Sequence, residues 1–170
     1  ADIEHVLDRV RPQVGAIMIS ANRNRAFYEG FGLPVLADPL DDYQGPLAGM
    51  LAGLDAVQTP FLLVLPCDGP LLNPTLVPRL YQALVESDAE IAVAHDGQRL
   101  QPVHVLLRSG LEPSLRAFLA EGQRKIDRWY ATHRMVPVDF SDDPEQFGNI
   151  NTPVDRRRIA STAGGDPPAR

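Results

Sequence analysis

The sequence predicts an α/β fold built on a mostly parallel sheet, and three observations carry that prediction. Two short apolar runs, Ala16–Ser20 (AIMIS) and Phe61–Leu65 (FLLVL), are too short for self-sufficient helices and suit strands buried on both faces. Segments with helical spacing of apolar residues alternate with these runs through the first half of the chain, as in βαβ units. Each run then ends in polar residues and turn formers. In open α/β sheets, ligands bind at that end of the strands.

At 170 residues one domain is expected, over residues 1–160, with a small, polar and disordered tail at 161–170. The composition, 44% hydrophobic and 22% charged, is that of an ordinary globular protein. Sixteen prolines point to many ordered loops. A net charge of −6 argues against nucleic acid as a main partner. It does not exclude a nucleotide, whose phosphates a metal and a few local cations can carry. The single cysteine, Cys67, permits no internal disulfide and fits a reducing, cytoplasmic setting. No apolar run reaches the ~18 residues of a membrane span, and no signal peptide is visible.

Taken in order, Ile3, Val6, Leu7 and Val10 stand at helical spacing at the very start. Ala16–Ser20 follows as a strand, then a helix over Arg23–Phe31 that Asn22 could cap and that Gly30 and Gly32 close. Val35-Leu36 is a short apolar step into the loop ADPLDDYQGP. Gly45-Pro46 opens a helix over Leu47–Val57. Gly49 and Gly53 share one face of it, which serves close packing on a sheet, approach of a ligand to the helix start, or both. After Phe61–Leu65, Asn73-Pro74 begins a helix to about Glu86. Glu90–Ala94 and Val103–Leu107 read as a hairpin-like pair around a turn at Asp96-Gly97. A helix over Leu111–Ala120, a short helix with Ile126, Trp129 and Tyr130, and a strand over Met135–Phe140 come next. Thr152-Pro153 starts a closing helix through Ile159.

The chemistry-bearing residues sit at strand ends. Asp68 follows the Phe61–Leu65 run and is broken off by Gly69-Pro70. A carboxylate there can hold Mg²⁺ against a substrate phosphate, or can cap its own turn. Asp38 directly follows an apolar step and is a strand-end residue of the same kind. Asn149 and Asn151 stand on one side of an extended segment, where each amide can donate and accept to a pterin or purine edge, or serve turns and caps. The chain contains no Walker A loop, Gly-x-Gly-x-x-Gly, Cys-x-x-Cys or His-Glu-x-x-His motif. The four histidines lack ligand spacing, no Ser/His/Asp triad is singled out, and Cys67 reads as a small buried residue.

Four stretches together resemble the molybdenum cofactor guanylyltransferases of the MobA type: ANR at 21–23, LADPLDDYQGPLAGMLAGL at 36–54, LVLPCDGPLL at 63–72 and DFSDDPEQFGNINTP at 139–153. The similarity runs from about residue 3 to 160. It implies a Rossmann-like three-layer αβα nucleotidyltransferase fold and Mg²⁺-dependent transfer of GMP from GTP to the molybdopterin cofactor, with release of pyrophosphate. In that reaction a cofactor phosphate attacks the α-phosphorus of GTP in line, and the metal stabilises the developing charge. The resemblance makes Asp68 the Mg²⁺ ligand and puts Asp38, Gly45 and Gly49 near the nucleotide. Arg124 and Lys125 would offer charge to phosphates, and Asn149 and Asn151 would face the molybdopterin. Ser20 stands where the family often has an asparagine contacting guanine, and Asn22 matches that pattern better. Molybdenum-insertion and molybdoenzyme maturation proteins are the partners it suggests. A molybdenum cofactor cytidylyltransferase, a sugar-phosphate nucleotidylyltransferase and a non-catalytic cofactor-binding module are the competing expectations.

The family begins with a strand and a glycine-rich signature that wraps the GTP phosphates, and nothing in this sequence corresponds to them. The resemblance places that strand between the runs at Ala16–Ser20 and Phe61–Leu65. Two strand edges and an apolar slot are then expected to face water, which costs stability and invites aggregation. The 170 residues are accordingly expected to fold poorly alone and to lack transferase activity.

Overall fold

Strand pairing and two-sided burial organise this chain around Leu100–Arg108. The computed structural model describes residues 2–15, 17–20, 27, 29–37, 45–66 and 72–148. Helix α1 spans Asp2–Val10 and a 3₁₀ turn follows over Arg11–Gln13. Strands β1 (Ile19–Ser20) and β2 (Val35–Leu36) pair in parallel, Ser20 opposite Leu36. Helix α2 (Pro46–Ala56) leads to β3 (Phe61–Val64), and helix α3 (Leu76–Glu86) to β4 (Ile91–His95). Strand β5 (Leu100–Arg108), helices α4 (Glu112–Ala120) and α5 (Ile126–Tyr130), and strand β6 (Met135–Asp139) follow, with 3₁₀ turns over Ser109–Leu111 and Pro144–Phe147. The helix expected over Arg23–Phe31 and the closing helix from Thr152 fall largely or wholly outside the described residues.

The larger sheet has the order β3-β5-β4-β6. Strand β5 is antiparallel to β3 and to β4, while β4 and β6 are parallel. The expected hairpin of β4 and β5 is therefore present. The reading of Phe61–Leu65 as a strand with parallel neighbours needs correction, because its bonded neighbour β5 runs the other way. The sheet is mixed: β3, β4 and β6 share one direction and β5 opposes them. Strand β5 is also longer than the apolar run VHVLL suggests, because Gln101 is buried and its amide donates to the turn residue Asp96 at 2.8 Å.

Period-two alternation sorts the strand residues into two cores. Ala92, Ala94, Leu106 and Val138 face α1 and α3, against Val6, Val10, Leu76, Leu80 and Leu84. Ile91, Val93, Val105 and Leu107 face α2, α4 and α5, against Leu47, Met50, Leu115 and Trp129. The result is three layers, helices on both faces of the sheet. Helix α2 is buried along Leu47–Leu54, as expected of a helix apolar all round. Gly53 lets it lie close on the sheet: a Cβ there would come 3.0 Å from the Leu62 side chain.

Strand β3 differs from the expectation of burial on both faces. Its residues Phe61–Val64 are only half-buried. The cause is visible at its free edge, where a groove of about 930 Å³ separates β3 from the β1 side of the molecule. Among the described residues no strand bonds the outer edge of β3 or of β1.

Leu80 is fully buried at the centre of the first core. Leu80→Ala is expected to lower the urea-derived stability by about 2–5 kcal/mol, the usual cost of a cavity of this kind. A smaller loss would mean that α3 settles into the space.

Candidate active site

The shared direction of β3, β4 and β6 brings three strand ends to one edge of the sheet. There Leu65-Pro66 follows β3, Asp96 follows β4, and Phe140 follows β6. The loop after β6 is tied to the loop after β3 by Asn73. Its backbone N–H donates to Gln146 Oε1 at 3.1 Å, and its side-chain amide donates to Asp143 Oδ2 at 3.0 Å. Asn73 Oδ1 in turn accepts from the Thr75 amide at 2.8 Å, an Asx turn that leads into α3. Gln146 is 1% exposed, so the tie is held within the core. Sequence reasoning saw Asn73 only as a helix opener; a buried glutamine 73 positions away carried no local signal.

Aromatic packing fixes the same corner. Phe147 lies edge-on to His104 and to Phe140, with ring centroids 4.8 and 5.8 Å away. Arg79 stacks 4.1 Å over the Phe140 ring and pairs with Asp142 at 3.1 Å. Its guanidinium holds the Asp142 carboxyl below the usual carboxylate range, and the Ser141 N–H, at 2.8 Å from Asp139 Oδ1, does the same for Asp139. Gly148 then turns the chain with φ +79°, a conformation that favours glycine, immediately before Asn149.

Of the residues singled out from sequence, Asn22, Asp38, Asp68, Asn149 and Asn151 lie outside the described residues, as does the side chain of Ser20. What the structure does place is their flanks. Leu72 and Asn73 follow the Asp68 segment, Gln146–Gly148 precede Asn149, and the Asn73 bonds join these two flanks. Ser20 and Leu36 are paired where the chain leaves for Asn22 and Asp38. Gly45 is the N-cap of α2, with Pro46 in the first turn, and Gly49 is buried one turn further on, beside the groove. Arg124 and Lys125 are exposed between α4 and α5. Arg124 Nη1 donates to the carbonyls of Leu119 and Gln123 at 2.9 and 2.7 Å, so it closes the end of α4. Among the described residues no group of three or more His, Cys, Asp or Glu side chains is placed to hold a metal. The nearest candidate by chain position is Asp68, the first carboxylate after β3.

The opposite end of the sheet holds a constellation that sequence reasoning did not assemble. Ser114 Oγ lies 2.7 Å from His133 Nε2, and His133 Nδ1 lies 3.3 Å from Glu90 Oε1. Trp129 Nε1 donates to Ser114 Oγ at 3.1 Å. The hydroxyl thus accepts from the indole and shares a hydrogen bond with the imidazole, whose other ring nitrogen shares one with the carboxylate. The Arg134 backbone N–H, with His133, keeps the Glu90 carboxyl below its ordinary value despite the opposing cost of desolvation. Every member is satisfied, and the chain reads as a clamp holding α4 and α5 to the start of β4.

A nucleotidyltransferase-type α/β fold is what the three layers and the mixed sheet define. Residues 2–136 match the family described as MobA-like NTP transferase domain, and the chain belongs to that family. It is 50% identical over 158 residues to a molybdenum cofactor guanylyltransferase of Shewanella loihica, covering 93% of this chain and 81% of that protein. A molybdenum cofactor guanylyltransferase of Shewanella baltica is 49% identical over 160 residues, 94% of this chain and 82% of that one. Among solved structures, molybdopterin-guanine dinucleotide biosynthesis protein A from Archaeoglobus fulgidus superposes with a TM-score of 0.68 at 21% identity, covering 93% of this chain and 83% of that one. A protein from Aquifex aeolicus superposes with a TM-score of 0.74 at 18% identity, covering 89% and 79%. These last two likenesses concern the fold. The expected fold class and nucleotidyltransferase membership are both borne out.

His104 gives a pH-dependent test of the corner. Burial pushes its pKa down from 6.5 to about 3, and its Nδ1 has no hydrogen-bond partner among the described residues. The unfolded chain takes up this proton near pH 6.5, so acid favours unfolding as pH falls from there toward 3. His104→Phe is expected to make the urea-derived stability less sensitive to pH between 7 and 4. An unchanged pH slope would show that the imidazole is hydrated or paired in solution.

Proposed function

We propose that the reaction this chain serves is transfer of GMP from GTP to the molybdenum–molybdopterin cofactor, with release of pyrophosphate, the 170 residues alone still being expected to lack that activity. The observation that carries the reading is its identity of about half, over more than nine-tenths of its length, to relatives named molybdenum cofactor guanylyltransferase. The geometry supports it, because the tie from Asn73 to Gln146 and Asp143 draws the flanks of the Asp68 and Asn149 segments together at the strand ends.

In this reading Asp68 holds Mg²⁺, and Ser20, Asn22, Asp38, Gly45 and Gly49 form the nucleotide side. Asn149 and Asn151 hydrogen-bond the pterin side of the acceptor cofactor. Arg124 and Lys125 add positive charge for phosphates. When bound, the metal supplies charge stabilisation to an in-line phosphoryl transfer, chemistry for which hard carboxylate oxygens are suitable ligands. The protein's own task is positioning: it holds the attacking cofactor phosphate in line with the α-phosphorus and keeps both substrates at one edge of the sheet. The single cysteine fits a reducing cytoplasm, and no helix among the described residues is long and apolar enough to cross a membrane.

Calorimetric titration with GTP and CTP, with and without Mg²⁺, tests the nucleotide assignment on this chain and on a chain extended at its amino end. In the extended chain GTP is expected to bind in preference to CTP and more tightly with Mg²⁺; preference for CTP would make it a cytidylyltransferase. Asp68→Asn in the extended chain should leave thermal unfolding nearly unchanged and lower Mg²⁺-dependent GMP transfer by roughly 10²-fold or more. Near-parental activity would remove Asp68 from the metal site. Replacing Asn149 and Asn151 together with Ala should weaken molybdopterin binding while sparing GTP affinity, and a comparable loss of GTP affinity would place the pair on the nucleotide side instead.

A further inference from the structure

The paired ends of β4 and β6 place a hydrogen-bond donor beside an acceptor at the edge where the strand-end loops meet. His95 closes β4 and Asp139 closes β6, opposite each other in the parallel register. Alternation puts His95 on the side of Ile91 and Val93, and Asp139 on the side of Met135, so both side chains leave the same face of the sheet. Neighbouring strands lie about 4.8 Å apart, close to the width of a pyrimidine ring's polar edge.

Both groups are held in place. The Gly97 N–H donates to His95 Nδ1 at 3.0 Å, which assigns the proton of the neutral ring to Nε2. Nε2 has no hydrogen-bond partner among the described residues. The Phe140 N–H donates to the His95 carbonyl at 2.8 Å and joins the two strand ends. Gly97 turns with φ +102°, and a Cβ there would come 2.8 Å from Ser141 Cβ, so the turn after β4 seats closely on the loop after β6. In that loop the Ser141 N–H donates to Asp139 Oδ1 at 2.8 Å. Ser141, and after it Arg79 and His95, hold the Asp139 carboxyl below the usual carboxylate range. Asp139 is exposed, and each of its oxygens can accept more than one hydrogen bond.

A carboxylate with an N–H donor beside it fits a ring edge that carries two adjacent N–H donors and then a carbonyl. That is the 2-amino-4-oxopyrimidine edge, which pterins and guanine share. The sheet order chooses between them. In β3-β5-β4-β6, the ends of β4 and β6 lie beyond β5 from β3, away from the β1 side of the molecule. Ser20, Asp38 and Gly45 of the proposed nucleotide side belong to β1, β2 and the chain that follows them. Strand β6 leads instead toward Gly148 and the asparagines of the proposed acceptor side.

We propose that His95 and Asp139 read the pterin edge of the acceptor, Asp139 accepting from the ring N–H and the 2-amino group and His95 Nε2 donating to the 4-oxo group. The assignment rests on the acceptor proposed above and adds the residues that select its ring.

The test titrates the extended chain, isotope-labelled, with 6-hydroxymethylpterin and follows the amide NMR signals of Gly97 and Ser141. Both signals are expected to move saturably. The analogue 6-hydroxymethyllumazine, with an oxo group in place of the 2-amino group, should bind at least roughly tenfold more weakly. Asp139→Asn keeps an acceptor for the Ser141 N–H but turns the other oxygen into a donor. It should reverse the preference, so that the lumazine binds more tightly than the pterin, with thermal unfolding unchanged. His95→Phe removes the donor to the 4-oxo group common to both compounds and should weaken both by roughly tenfold while leaving their ratio as it was. Equal binding of the two compounds, or a preference that Asp139→Asn leaves in place, would overturn the subsite. Movement of the same amides by GTP and not by the pterin would overturn it in favour of guanine. Pterin binding that leaves Gly97 and Ser141 unmoved would overturn this subsite alone, whereas no pterin binding at all would overturn it together with the acceptor reading.

Discussion

Strand β5 is bonded on both edges, to β3 and to β4, and the rest of the molecule is fixed relative to it. Its side chains divide between the two cores, Leu106 toward α1 and α3, Val105 and Leu107 toward α2, α4 and α5. A register slip of one residue would exchange these sets and expose each to the wrong wall. The irregularity between Val93 and Ala94 adjusts that register before the turn, where Asp96 Oδ1 accepts from the amides of Gln98 and Arg99 at 2.8 and 2.9 Å. The hairpin is therefore closed at its tip by one carboxylate and along its length by two hydrophobic layers.

From this follows the placement of the strand ends. Because β5 opposes β3 and β4, those two strands and β6 deliver their carboxyl ends to one edge, and their loops meet there. The Asn73 tie and the rings of His104, Phe140 and Phe147 make that edge rigid on the described side. The polar clamp of Ser114, His133 and Glu90 works at the other end. Two ends of one sheet thus carry polar networks of different character, one closed upon itself and one flanking the segments that bear the candidate site.

Much of the fold was legible because its signals are local. Phe61–Leu65 and Glu90–Ala94 announce strands by apolar density, and Gly45-Pro46 announces the start of α2 within a residue. What was not legible is long-range. Nothing near Phe61 reveals that its strand pairs antiparallel with Leu100–Arg108, since that depends on the hairpin closing forty residues later. Burial of β3 was overestimated for the same reason: apolar composition reports what a strand can bury, and the groove determines what it does bury. At the candidate site, residue type and position after a strand were enough to nominate Asp68 and the asparagines. The glutamine and asparagine that join their flanks stand 73 residues apart, beyond any local pattern.

Charge sets the last constraint. The chain carries a net charge of −6, yet its proposed substrates are polyanions. Several arginines are committed to the fold: Arg79 to Asp142 and the Phe140 ring, Arg108 to the Ala89 carbonyl at 2.8 Å, Arg134 to the Asp88 carbonyl at 3.1 Å. Arg124 closes α4 with one of its nitrogens. Guanidiniums engaged in this way hold loops in place. In the proposed reaction the phosphates are met by Arg124 and Lys125, by the amide groups that open α2 at Gly45, and by a divalent cation on a carboxylate after β3. An acidic chain that binds nucleotide through a metal does not need a basic surface. It needs a few well-held oxygen ligands at the strand ends.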